Sequence, residues 1–340
     1  MARAALVTGG TGFIAGHLIP ALLADGWQVR TCGRRPRPEA LPGEVEYHRV
    51  DLADRDADLA PLLAGVQRVF HLAGASSSRS SQEEMERSNA GGTENVAAAA
   101  AAAEVEVFVH MSSTSVYGEE VELPSPVPET VEPRPSRGYG KAKWMAEQAV
   151  WRLVEKGFPA VVLRPVSVHG PGAIKLLASA MLDVAIERFA GLPTVVLHDR
   201  PVEQRLVHVA DLVGASLHLA GHEPARGAAF NLAMPTYPTS HDVGAMLADE
   251  FGLGVELSSD PDCGPSTDER ASVRGRMLAA GMADDILFTP ERFRFMRKAN
   301  RNNRLDLRAL FATGFELREP DVRATVADLA AWYGERRWII

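Results

Sequence analysis

The sequence predicts an α/β fold built on a doubly wound parallel sheet, followed by a smaller C-terminal α+β domain. Three observations predict it. Apolar runs of strand length recur at 4–8, 26–32, 45–50, 66–74 and 105–111. Between the first two, Phe13, Leu18, Ile19, Leu22 and Leu23 repeat at helical spacing. Gly9, Gly10 and Gly12 stand where the first run meets that pattern. Strand, tight turn and helix, with the next strand inside about 30 residues, form the βαβ unit of a Rossmann-type sheet.

The glycine junction comes first in the chain. Without Cβ atoms, Gly9 and Gly12 let the backbone approach a pyrophosphate, and the N–H groups of the helix start favour its negative charge. A dinucleotide is the expected ligand. Pro20 is expected within the first turns of the helix, where proline costs least. After the second run, the position that would hold a ribose 2′-hydroxyl through a carboxylate reads Gly33-Arg34-Arg35. Arginines there accommodate a 2′-phosphate, so NADP is expected, with NAD the alternative. Two solvated loop arginines are the other reading of Arg34 and Arg35. The third run ends in Asp51-Leu52, where Asp51 either accepts from an adenine amino group or enters a helix. The fourth ends in Ala73-Gly74, small enough to pack on adenosine. A serine-rich loop, 76–82, precedes a helix carrying Asn89, Gly91, Gly92 and Thr93, which the alanine run 97–103 extends.

The fifth run delivers Ser112-Ser113-Thr114-Ser115-Val116-Tyr117-Gly118. After a proline-rich loop, 124–135, Tyr139 and Lys143 open a helix one turn apart and share one face. A free phenol, with pKa about 10, is a poor base at neutral pH, but a nearby ammonium and a cationic nicotinamide favour the phenolate. Tyr139 can then exchange a proton with a substrate oxygen. A strand-end hydroxyl, best Ser113, holds that oxygen while hydride passes to or from the nicotinamide, and Lys143 also ties down the nicotinamide ribose. Taken alone, Tyr-x-x-x-Lys also reads as an ordinary exposed helix pair.

Composition narrows the class. With 340 residues and a net charge of −8, the chain can bury a full core and carries no basic face for nucleic acid. Arg34-Arg35-Pro36-Arg37 and Arg297-Lys298-Ala299-Asn300-Arg301 are local exceptions. Cys32 and Cys263 stand far apart in no metal-like spacing, so neither a disulfide framework nor a metal site is expected. No apolar run reaches the roughly 18 residues of a membrane helix, and the fold starts too early for a signal peptide, so a cytoplasmic protein is expected.

Several pieces together resemble the extended short-chain dehydrogenase/reductase superfamily, in its NAD(P)-dependent epimerase/dehydratase branch. They are Thr8-Gly9-Gly10-Thr11-Gly12-Phe13-Ile14, Asp51-Leu52, His71-Leu72-Ala73-Gly74, Asn89 with Gly92-Thr93, Ser112 to Gly118, Tyr139 to Lys143, Leu163-Arg164-Pro165 and Val207-His208-Val209-Ala210-Asp211. They run in that family's order over most of the chain. The resemblance implies catalytic Ser113, Tyr139 and Lys143. It implies cofactor contacts from Gly9, Thr11, Gly12, Phe13, Ile14, Arg34, Arg35, Asp51, Leu52, Leu72, Ala73, Gly74, Asn89, Tyr139, Lys143, Pro165 and Val168. It implies substrate contacts from Ser76, Ser113, Thr114, Ser115, Tyr139, Ser167 and Arg205, the last near the family's position for an arginine that grips a substrate diphosphate. Ala15 replaces the third fingerprint glycine. Where the family's sugar dehydratases carry Asp-Glu, this chain has Thr114-Ser115, so dehydration is not expected. Ser167-Val168-His169-Gly170-Pro171 stands where many nucleotide-sugar members read Asn-Val-Tyr-Gly-Pro.

Past residue 171, helices are expected over 173–188 and 241–251, a strand and helix in 204–219, a strand at 230–232, a loop over 258–271 and a capped helix start at 288–296. Similar stretches before Asp306-Leu307-Arg308 occur in family members acting on sterol-like or polyphenol-like ketones. The expected division is a dinucleotide-binding domain over 1–171, with 204–233 returning to it, and a substrate-binding domain from 172–203 and 234–340. The expected reaction is NADPH reduction of a keto group, first the 4-keto group of a nucleotide-activated deoxysugar. An epimerase with tightly held NAD, a reductase of non-sugar ketones and a non-catalytic dinucleotide sensor are the alternatives. The resemblance implies a homodimer through the tyrosine helix and its neighbour, although the alanines equally suit burial within one subunit.

Overall fold

The structure, a computed structural model, describes residues 3–75, 80–118, 122–174, 177–260, 264–284, 303–318 and 321–340. The chain runs β1 (Ala4–Thr8), α1 (Phe13–Ala24), β2 (Gln28–Gly33), β3 (Glu46–Arg49), α2 (Ala60–Leu63), β4 (Arg68–His71), α3 (Gln82–Glu86) and α4 (Gly92–Ala102). It continues through β5 (Val107–Met111), α5 (Gly138–Val154), β6 (Ala160–Pro165), β7 (Ser167–His169), α6 (Leu177–Phe189), β8 (Thr194–His198) and β9 (Leu206–His208). Then come α7 (Val209–Gly221), β10 (Ala228–Leu232), α8 (Ser240–Glu250), β11 (Gly254–Ser258), α9 (Thr267–Ala279), α10 (Arg308–Phe311) and α11 (Val322–Glu335).

Seven strands form one sheet in the order β10-β6-β5-β4-β1-β2-β3, every described pair parallel. It is the expected Rossmann-type doubly wound sheet. Strand order reverses between β1 and β4, and such a switch point opens a crevice at the carboxyl ends of the strands. Central strands covered on both faces must be apolar throughout, and all five residues of β1 and of β5 are buried. Leu6, Val69, Phe108 and Val162 pack with Val96, Ala97, Ala100 and Val150. Ala97 and Ala100 are fully buried, so the alanine run lets α4 lie close to its own unit's core. Pro20 sits deeper in α1 than expected, with its ring in solvent.

The chain divides into two compact units. The first holds Met1–Val166, Val209–Ala233 and Leu305–Glu316; the second holds Ser167–His208, Met234–Arg304 and Leu317–Ile340. This differs from the division read in the sequence at three places. Residues 167–171 fall in the second unit. Residues 204–208 do not return to the large sheet: β9 pairs with β7 in a separate two-stranded sheet, and the return to the first unit begins at Val209 with α7 and β10. The segment 305–316 does belong to it, tied by a bridge between Val127 and Leu305 and by His218 Nε2 against Thr313.

In the second unit α6 is buried on nearly every side and packs with Val195, Leu197, Val243, Leu247, Val273, Met277, Val326 and Leu329. Two corrections fall here. The loop expected over 258–271 gives way to α9 at Thr267, started by a capping box between Ser266 and Glu269. The parallel pair β8–β11 was not expected from the sequence. The capped start at 288–296, the cluster 297–301, Cys263 and Ser76 lie outside the described residues. Among the described residues, no helix is long and apolar enough to cross a membrane, and no group of three or more His, Cys, Asp and Glu could hold a metal.

Candidate active site

The crevice end of the first unit is built around the turn from β1 to α1. Gly9 sits there with φ of +71°. Gly12 begins α1 without a side-chain cap, and no acidic residue occupies the first turn, so the N–H groups of the helix start are left for an external anion. Thr11 is exposed, and Phe13 and Ile14 are half-buried. Gly10 is buried for a reason the local sequence hides: a Cβ there would lie 1.9 Å from Thr31 Oγ1 on the neighbouring strand. Thr8 Oγ1 hydrogen-bonds His71 Nδ1 at 2.8 Å and accepts from the Ala73 N–H at 3.2 Å, fixing β1 to the Leu72-Ala73-Gly74 turn. His71 Nε2 meets Thr93 Oγ1 at 2.9 Å; burial pushes this imidazole down to about 3.

Arg34 and Arg35 are exposed just after β2, and among the described residues neither guanidinium forms an ion pair. Their carbonyls are held instead, by Arg49 Nε at 3.2 Å and the Tyr47 hydroxyl at 2.6 Å. Asp51 opens a turn instead of entering a helix. Its Oδ1 accepts from the Ala53 N–H at 3.1 Å, a turn role, and its Oδ2 lies 3.8 Å from Arg87. Leu52 follows, its carbonyl held by Asn95 Nδ2 at 2.9 Å. Asn89 is fully buried on a π-helical turn, Arg87–Gly91, that interrupts the single helix expected there. Its Nδ2 donates to the carbonyls of Ala75 and Met85, while its Oδ1 has no partner among the described residues. Such π-turns aim side chains that a regular helix would not.

At the end of β5, Ser113 Oγ accepts from the Ser115 N–H and donates to Ser115 Oγ, both at 3.2 Å, and Thr114 Oγ1 donates to the Pro165 carbonyl at 3.4 Å. α5 approaches this turn so closely that a Cβ on Gly140 would stand 2.4 Å from the Ser115 carbonyl oxygen. Tyr139 and Lys143 do share a face: Lys143 Nζ lies 5.9 Å from the Tyr139 ring centroid and donates to the Met111 carbonyl at 2.7 Å. Burial lowers Lys143 to about 8 against the opposing Glu147 carboxylate, and raises Tyr139 to about 12. In the protein alone, burial thus acts on the phenol in the direction opposite to the phenolate expected with a cationic nicotinamide bound.

The first unit thus brings together the glycine turn, Arg34, Arg35, Asp51, Leu52, Leu72, Ala73, Gly74, Asn89, Ser113, Thr114, Ser115, Tyr139, Lys143 and Pro165. Ser167 and Val168 on β7, and Arg205 just before β9, belong to the second unit. The first unit's residues fit a dinucleotide: an uncapped helix start at a glycine turn and, among the described residues, a buried amide oxygen without a partner and two arginines outside any ion pair.

Such a sheet with such a crevice defines a dinucleotide-dependent enzyme. The chain belongs to the NAD dependent epimerase/dehydratase family, whose profile matches residues 5–233, and it is an NAD(P)-dependent enzyme of that family. It is 29% identical over 274 residues to GDP-6-deoxy-D-mannose reductase of Pseudomonas aeruginosa, covering 77% of this chain and 84% of that one. It is 32% identical over 197 residues to 4-hydroxy-2-methyl-3-oxo-4-farnesyl-3,4-dihydroquinoline-1-oxide ketoreductase of Stigmatella aurantiaca, covering 54% of this chain and 55% of that one. The chain thus spans only about half the length of that second relative. The structure of RMD from Pseudomonas aeruginosa complexed with NADPH superposes with a TM-score of 0.70 at 22% identity, covering 98% of this chain and all of that one.

Proposed function

We propose that this enzyme reduces a ketone with NADPH, the 4-keto group of a nucleotide-activated deoxysugar first among its substrates. The observation that carries the reading is Tyr139 and Lys143 on one face of α5, with Lys143 anchored to the Met111 carbonyl at the strand end that leads into Ser113. When bound, NADPH supplies hydride to the carbonyl carbon. Tyr139 donates its proton to the ketone oxygen, Ser113 donates a hydrogen bond to that oxygen, and Lys143 stabilises the phenolate left behind. A phenol held at about 12 is the acid that reduction needs, whereas oxidation of an alcohol needs the phenolate. Gly9, Thr11, Gly12, Phe13 and Ile14 would hold the pyrophosphate, and Arg34 and Arg35 a 2′-phosphate. Asp51, Leu52, Leu72, Ala73, Gly74, Asn89, Pro165 and Val168 complete the proposed cofactor contacts, and Thr114, Ser115, Ser167 and Arg205 the substrate contacts. Val168, Ser167 and Arg205 enter on sequence resemblance, as does the homodimer, and the cytoplasm on the lack of a membrane-length apolar run in the sequence.

A second reading, reduction of a non-sugar ketone, is favoured by the likeness to the Stigmatella ketoreductase. Following NADPH and NADH absorbance against keto sugars and simple ketones separates the readings. Net NADPH consumption on a keto sugar supports the first, and on simple ketones alone the second. Sugar interconversion without net consumption points to an epimerase, and silence across the panel to a sensor.

A further inference from the structure

We propose that Glu147 and Arg164 are positioning residues: this buried pair locks the helix that presents Tyr139 and Lys143 to the strand end that presents Ser113. The proposal rests on the reading of those three residues given above. Glu147 lies one turn beyond Lys143 on α5 and is fully buried; Arg164 on β6 is 3% exposed. Arg164 Nη2 donates to Glu147 Oε2 at 2.7 Å and its Nε to Oε1 at 3.0 Å, a two-point pair that fixes angle as well as distance. Ser112 Oγ donates to the same Oε1, so the residue before Ser113 hangs on this carboxylate. Arg164 Nη1 donates to the Tyr117 hydroxyl at 3.0 Å and the Glu129 carbonyl at 3.1 Å, and Tyr117 donates to Asn231 Oδ1 at 2.7 Å. Both ends of the 112–117 turn are thereby tied to one guanidinium–carboxylate pair. A buried ion pair is costly beside apolar packing of the same volume, and its best-attested use is to fix one arrangement among several. Here it fixes the elements that carry the reacting groups.

The pair also faces Lys143. His71 from β4 and His110 from β5 face it too, both kept neutral by burial and by the ammonium itself. On α5 it faces Tyr139 and Glu147, and Arg164 of β6 stands beyond Glu147. Of these only Glu147 is an anion, and it opposes the burial that strips Lys143 of its proton.

Lys141, Lys143, Lys156, Lys175 and Lys298 are the only lysines in the sequence, so NMR of ¹³Cε-lysine protein follows Lys143 without any substrate, with Lys143→Arg assigning its signal. In Glu147→Gln the Lys143 midpoint is expected about one pH unit or more below native, a tenfold weaker hold on the proton, and Glu147→Asp should recover at least half of that shift. In the reductase assay Glu147→Gln should lower kcat most above neutral pH, with KM changed less than about threefold. If Glu147→Gln does not fold, the double variant Glu147→Gln with Arg164→Met leaves no orphaned buried guanidinium and is expected to move the Lys143 midpoint in the same downward direction. An unmoved midpoint in either folded variant overturns the proposal. Failure of the functional reading is seen separately, as full ketone reduction by Tyr139→Phe, while the Lys143 titration still decides the role of the pair.

Discussion

Gly140→Ala is the sharpest perturbation of the proposed geometry. Gly140 follows Tyr139 in the first turn of α5, and an added Cβ would lie 2.4 Å from the Ser115 carbonyl oxygen, 3.1 Å from its carbon and 3.3 Å from Pro135 Cβ. Ordinary contact begins at 3.4 Å, so helix and turn must part by 3.4 minus 2.4, or about 1.0 Å. The nearest atoms on both sides are backbone, so no side chain can swing away to relieve the clash. The parting falls between Tyr139 and the turn of Ser113. A misplacement of about 1 Å costs on the order of 10²-fold in rate, equal to about 2.7 kcal/mol of transition-state stabilisation. In the NADPH-oxidation assay kcat/KM should fall by that factor. NADPH affinity, read by fluorescence titration, should stay within about threefold, since the glycine turn is untouched. Gly275→Ala, whose Cβ meets nothing within 4 Å, serves as the control. A folded Gly140→Ala enzyme that keeps more than about a third of native kcat/KM would refute the idea that this close approach sets the geometry.

Tyr139→Phe should keep NADPH affinity and lose about 10²-fold or more in turnover, the usual size for a lost proton-transfer group; full activity removes Tyr139 as the acid. Arg34→Ala with Arg35→Ala should weaken NADPH binding more than NADH binding in parallel titrations, and equal weakening would reverse the cofactor preference. Lys143 titrates at about 8 instead of 10.5, so its charge is lost as pH rises through 8, and kcat/KM should decline above that point; a profile flat to about pH 10 contradicts this. His71 stands at about 3 instead of 6.5, so between those values the unfolded chain binds more protons and stability rises with pH. Lowering the pH from 7 to 4 should cost about 3 kcal/mol through His71 alone, and urea melts that show no loss would count against its buried, neutral state.

What was legible in the sequence was local. Strand, glycine turn and helix follow one another within residues 4–24, so one window of sequence carries all three signals, and the spacing of Tyr139 and Lys143 follows from helix geometry alone. α9 carries its own start signal, Ser266 and Glu269 three residues apart in the order of a capping box, but Pro261, Gly264 and Pro265 just before it are turn signals of the kind that mark a loop. β8 and β11 are short, and β11 is exposed along most of its length, so it lacks the apolar run that marks a buried strand. The membership of 305–316 in the first unit hangs on Val127 and Thr313 contacts that no window of sequence contains.

The site divides the same way, and the division bears on its chemistry. Spacing puts an ammonium beside a phenol and leaves open which of them gives up its proton. That choice depends on burial, which for Lys143 comes from the strands of His71, His110 and Met111 rather than from α5. Burial pushes the phenol up to about 12 and the lysine down to about 8, so proton affinities that are nearly equal in free side chains are driven apart. An acid that holds its proton at rest, one turn from a cation ready to stabilise its loss, is arranged to give that proton only when an oxygen beside it becomes strongly basic. A ketone oxygen meets that condition only as hydride arrives at its carbon, so in the proposed reaction proton donation by Tyr139 is coupled to reduction.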